Sequence, residues 1–152
     1  MKKSHLLAGL SLLAGMAVLA SSVTTAQDPI ARRREIMKTS VGPSAKASNE
    51  MIKGEKPYDA KAAADAMSKI STGWAEFSKL FPKGSETGGE TRASPKIWEN
   101  MADFESKGKA LTTAADAAAV EAAKGPDAFK AAFGAVGGSC KSCHDVYLLP
   151  KK

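Results

Sequence analysis

Phe129-Lys130-Ala131-Ala132-Phe133-Gly134-Ala135-Val136-Gly137-Gly138-Ser139-Cys140-Lys141-Ser142-Cys143-His144-Asp145-Val146-Tyr147 organises the rest of the chain. Its apolar and sulfur-bearing residues Phe129, Phe133, Val136, Cys140, Cys143 and Tyr147 recur at steps of 4, 3, 4, 3 and 4. That spacing predicts a helix with one face against a bundle core. Within it, Cys140-Lys141-Ser142-Cys143-His144 places two thiols two residues apart with an imidazole directly after. This is the attachment pattern of c-type haem. Each thiol adds across one vinyl group, and the histidine is held beneath the porphyrin, where it can bind the iron.

Three other readings fit less well. A thioredoxin-like dithiol belongs near a βαβ pattern, and the chain has no strand-like alternation. A zinc site wants about four ligands, and only these three residues offer themselves. A structural disulfide leaves His144 without a purpose. The chain has two histidines, and His5 lies in a segment expected to be removed. His144 is then the sole imidazole, which excludes two-histidine ligation and a second haem.

Met1-Lys2-Lys3 is a basic start, Leu6 to Ala20 an apolar run, and Thr24-Thr25-Ala26 a small-residue ending. Together they predict a signal peptide over 1–26, its apolar run short for a membrane span, with an uncleaved amphiphilic anchor as the alternative. Export places the chain in the periplasm, and residues 27–152 form the mature domain with no membrane span. The formal net charge of +6 loses two lysines with the signal. So mild a balance does not point to nucleic acid.

The mature part reads as four helices. Asp28-Pro29 is a cap followed by proline in the first turn, starting helix A, which runs to about Lys53. Its inward candidates are Ile30, Met37, Val41, Ser44 and Met51. Pro43 predicts a kink near Thr39 to Pro43. Helix B runs from about Asp59 to Phe81, with Met67, Ile70, Trp74, Phe77 and Phe81 inward. Lys83 to Ala93 reads as an exposed loop. Helix C starts at Ser94-Pro95 and carries Ile97, Met101, Phe104, Gly108, Leu111, Ala115 and Ala118. The opening stretch is helix D, in which Gly137-Gly138, poor helix formers, would let a flat macrocycle lie close. The expected fold is all-α, an antiparallel up-down-up-down four-helix bundle with covalently bound haem.

A helical Cys140-x-x-Cys143-His144 close to the C-terminus resembles class II cytochrome c, the cytochrome c-prime family. Leu80-Phe81-Pro82, Ile97-Trp98-Glu99-Asn100-Met101 with Phe104, and Lys107-Gly108-Lys109-Ala110 carry the likeness along the mature chain. The resemblance implies one covalent haem c and its iron, with Cys140 and Cys143 attached, His144 as axial ligand, and Arg33 and Trp98 lining the pocket. High-spin members have a bulky apolar residue four positions after an arginine on helix A. Counted from Arg33, that place holds Met37. Glu35-Ile36-Met37-Lys38, Lys53-Gly54-Glu55-Lys56-Pro57-Tyr58-Asp59 and Ser94-Pro95-Lys96-Ile97-Trp98 are similar to the low-spin cytochrome c-556 subgroup, whose methionine is the sixth ligand. Bundle geometry alone leaves Met37 and Met101 as candidates, and the resemblance selects Met37. Many members carry arginine four residues after the haem histidine, where this chain has Leu148.

The implied function is a periplasmic single-electron carrier with a His/Met-ligated haem, and not an enzyme. The alternative is a high-spin protein binding nitric oxide or carbon monoxide on an open distal face. A peroxidase-like site would want a polar distal acid or base, and helix A offers Arg33 and little else. Expected partners are periplasmic or membrane-bound redox proteins, with a second copy of the chain as a further candidate.

Overall fold

The computed structural model describes residues 28–151, so the expected signal peptide lies outside them. The first helical rod comprises α1 (Pro29–Glu35), a π turn (Ile36–Val41) and α2 (Gly42–Ile52). It is followed by α3 (Ala60–Phe77), a short α4 (Lys96–Glu99), α5 (Met101–Ala122) and α6 (Pro126–Tyr147). α5 packs on α3 and α6, and α2 packs on α3 and α6, closing a ring of four rods. This is the expected antiparallel four-helix bundle. No strand forms among the described residues, only a single bridge between Ala93 and Leu148.

The caps follow the chemistry of the termini. The Asp28 carboxylate accepts from the Ile30 N–H at 2.9 Å, ahead of Pro29. Asp59 caps α3 through the Ala62 N–H. Gly54 takes φ +74 just beyond α2, a left-handed stop open to glycine. Helix C departs from its expectation: it breaks after one turn. Asn100 leaves helical geometry at φ −140, ψ 64, and its side chain caps α5 by accepting from the Asp103 N–H at 3.2 Å. Ser94 still caps the short α4 turn, accepting from the Lys96 N–H.

The core forms two adjoining clusters. Met51, Met67, Ile70, Leu111, Ala115, Ala118, Phe129, Phe133 and Val136 fill the first. Trp74, Phe81, Ile97, Phe104 and Tyr147 form the second, an aromatic knot with Phe104 at its centre. Helix B ends sooner than expected, at Phe77 and not Phe81. Phe81 nevertheless turns back into the knot and is buried.

Tyr147 closes the knot from α6. Its hydroxyl donates to Asp103 Oδ2 at 2.6 Å. Burial first, and then that hydrogen bond, push the phenol from its usual 10 to about 12. A raised folded-state pKa means the contribution to stability is complete below pH 10 and is lost as pH climbs towards 12. Tyr147→Phe is therefore expected to flatten the loss of stability across that alkaline window, measured by denaturant unfolding at several pH values. An unchanged slope would refute the coupling.

Candidate functional site

Three consecutive arginines on α1 divide the work between them. Arg32 faces α3 and pairs with Glu76 at 2.5 Å and with Glu35 at 2.8 Å. Arg34 pairs with Glu90 in the loop between α3 and α4. Arg33 points inward and is only 4% exposed. Its guanidinium stacks over Phe81 at 4.5 Å and over Trp98 at 5.6 Å, and its Nη2 donates to the Ser85 carbonyl at 2.6 Å. Trp98 in turn donates from Nε1 to the Phe81 carbonyl at 3.2 Å. The loop expected to be exposed is thus partly drawn in, with Ser85 buried as the acceptor for a cation.

A second Arg33 nitrogen, Nη1, is buried with no hydrogen-bond partner among the described residues. A buried guanidinium donor without an acceptor is costly. Burial depresses the Arg33 pKa, but arginine stays charged. The donor therefore calls for an acceptor that the described residues do not supply.

Met37 lies four residues after Arg33, inside the π turn, half-buried against the cluster that Cys140 also borders. Cys143 and Trp98 border the aromatic knot. The two cysteines form no disulfide with each other, and both are half-buried on the inward side of α6. Burial pushes both up, Cys143 to about 11. His144 follows on the solvent side. Partial desolvation and the nearby Arg92 hold its imidazole below the usual range, which favours the neutral form that binds metals. At Gly137 and Gly138 an added methyl group would meet nothing within 4 Å. Protein packing therefore does not require glycine there, and α6 presents bare backbone beside the thiol pair.

Among the methionines of the described residues, Met51 (7% exposed) and Met67 (0%) are locked in the core. Met37 and Met101 are half-buried at cluster edges. The structure thus leaves the same pair of candidates as the sequence. Arg92 is a site residue not anticipated from the sequence, because it falls in the polar loop. Its backbone carbonyl accepts from the Leu149 N–H at 2.8 Å, and its Nε donates to the Leu149 carbonyl at 2.7 Å. It brings a positive charge to His144 from across the chain, while the local position has only Leu148.

Relatives and solved structures agree on the lineage of this arrangement. The family model described as cytochrome c′ matches residues 28–148. The chain belongs to the cytochrome c′ family. It is 39% identical over 140 residues to cytochrome c′ of Rhodopseudomonas palustris, covering 91% of this chain and 94% of that one. It is 40% identical over 119 residues to cytochrome c-556 of Agrobacterium tumefaciens, covering 78% and 96%. The solved cytochrome c′ from Rhodopseudomonas palustris superposes with a TM-score of 0.78 at 38% identity, over 84% of this chain and all of that one. As a cytochrome c′ family member, the chain carries covalently attached haem c with its iron. The residues fit that group: a buried guanidinium with one unpartnered donor, two unbridged cysteines one helical turn apart, a neutral-biased imidazole and an uncovered stretch of backbone.

Proposed function

We propose that this family member is a periplasmic single-electron carrier with one haem, bound through Cys140 and Cys143 and ligated by His144 and Met37. The haem, when bound, supplies the one-electron couple. The observation that carries the reading is the placement of Met37 one turn beyond the buried, half-satisfied Arg33, beside the cluster that Cys140 borders. The likeness to a cytochrome c-556 adds weight to a methionine at that place.

The chain's own residues then have distinct tasks. His144 offers a neutral imidazole, and Met37 a soft thioether that favours the ferrous state. Two side chains anchored on separate rods stay in place in both oxidation states, so electron transfer needs little rearrangement. Arg33, with its unpartnered Nη1, would hold a haem propionate, and the pairing would offset the desolvation of both charges. Phe81, Trp98 and the Ser85 carbonyl hold the guanidinium in that orientation. The N-terminal segment 1–26 is the export signal, consistent with haem attachment outside the cytoplasm.

Two measurements test this. Mass spectrometry of periplasmic protein should give a chain beginning at Gln27 plus one haem, and free thiols on an unmodified chain would refute the attachment. The visible spectrum should be low-spin and insensitive to carbon monoxide in the ferrous state. A wild-type protein that binds carbon monoxide readily is instead a gas-binding member.

A further inference from the structure

The expected kink at Pro43 takes another form. The rod runs on through Pro43, and the irregularity is the π turn just upstream of it. The buried residues of the rod are Ile30, Arg33, Ile36, Val41, Ser44, Ser48 and Met51. The step from Ile36 to Val41 spans five residues, where an α-helix would take three or four. Ile36 thereby takes the core position that the sequence gives to Met37, and Met37 moves to the flank of the seam. The turn closes with the Gly42 N–H donating to the Met37 carbonyl, five residues back.

Three features hold this widened turn. Pro43 has no N–H to offer Thr39 and would crowd its carbonyl in a regular helix. A Cβ on Gly42 would sit 2.7 Å from the Met37 carbonyl oxygen, closer than side-chain carbons approach. A π turn is also broader than an α turn, so the facing helix must recede. There α3 presents Gly73, whose Cβ would lie 2.8 Å from Val41 Cγ2 and 3.6 Å from Ile36 Cγ2. Single π turns inside α-helices occur frequently at functional sites.

We propose that the π turn aims Met37 at the haem iron and that Gly42 and Gly73 are the positioning residues that permit it. The inference rests on the Met37 ligation proposed above and deepens it. Gly42→Ala forces the amide of residue 42 away from the Met37 carbonyl. The turn then tightens towards an α-helix, which returns Met37 to the seam and Ile36 to its flank. Gly73→Ala presses the same turn from outside.

The test compares wild-type holoprotein with the Gly42→Ala, Gly73→Ala and Pro43→Ala variants. Proton NMR of the ferrous protein reads the upfield-shifted methyl of an iron-bound methionine. Carbon monoxide addition reads the sixth position, and a crystal structure reads the acceptor of the residue-42 amide. The expected result is loss or broadening of the methyl signal in both glycine variants, with carbon monoxide binding rising from a trace to most of the ferrous protein. Pro43→Ala, which adds a donor without bulk, should give a smaller change of the same kind. A wild-type protein lacking the methyl signal overturns the ligand assignment itself. A wild-type signal that survives unchanged in the variants overturns the positioning role. If Gly42→Ala does not fold, Gly73→Ala and Pro43→Ala decide by the same signal.

Discussion

Met37→Ala is expected to convert the ferrous haem from six-coordinate and low-spin to five-coordinate and high-spin, and to make it bind carbon monoxide. The change should be complete, because among the described residues the only other methionine outside the packed core is Met101, on a different helix. Met51 and Met67 are packed into the core on all sides. Drawing either towards the iron would open a cavity costing about 2–5 kcal/mol. Arginine has no lone pair to give, so Arg33 cannot act as ligand. Met101 is the one rival, and it begins α5 beside the aromatic knot. Met101→Ala should leave the spectrum intact while costing some packing. A Met101→Ala protein that loses its sixth ligand, or a wild type already high-spin, would show the assignment to be wrong. Folding should survive in the Met37→Ala variant, since the side chain is only half-buried.

The second large effect concerns stability, at Gly108. An alanine Cβ there would fall 1.7 Å from Trp74 Cζ2 and 1.8 Å from Cε2. The indole cannot swing aside, because Phe77 and Phe104 face it at ring-centre distances of 5.7 and 5.2 Å. Glycine to alanine inside a helix ordinarily stabilises by about 1 kcal/mol. Overpacking of a filled core typically costs about 1–3 kcal/mol and sometimes more. With overlap this deep the second effect should win. A net loss of about 3 kcal/mol, or about 10 °C in Tm, is expected for a domain of this size. Gly134→Ala is the matched control, since its Cβ meets nothing within 4 Å. It should stabilise by up to about 1 kcal/mol. Thermal melts showing the two variants with the same sign would contradict the packing described here.

The contrast between these glycines shows what sequence can and cannot convey. Periodicity placed Met67, Ile70, Trp74, Phe104, Leu111, Phe129 and Val136 inward, and all are buried. An apolar seam repeated at 3.5 residues leaves little freedom in which face a helix turns to its neighbours. The thiol pair and His144 stand out for a different reason: their spacing is the one that covalent attachment of haem c requires. The π turn was not legible. A heptad reading assumes uniform winding, so one extra residue in a turn exchanges Ile36 and Met37 without any change in composition. The break at Asn100 was hidden for a related reason: Ser94-Pro95 is a valid start, and the stronger cap lies six residues on. The loop 83–93 reads as polar, yet it supplies the Ser85 carbonyl under Arg33 and the Arg92 charge beside His144. Such contacts depend on tertiary partners with no sequence period.

The pairing of residues 92–94 with 147–149 bears on how the protein can be handled. The Ser94 N–H donates to the Tyr147 carbonyl at 3.0 Å, and Arg92 grips Leu149 from both backbone and side chain. The Leu148 N–H, between them, bonds back to the His144 carbonyl at 3.2 Å. Load applied to the tail therefore passes within one helical turn of the His144 imidazole. A surface tether or fusion joined directly after Pro150 would pull on that seam, whereas one joined ahead of Asp28 would leave it slack. For wiring this cytochrome to an electrode, the amino-terminal end is the mechanically quiet one.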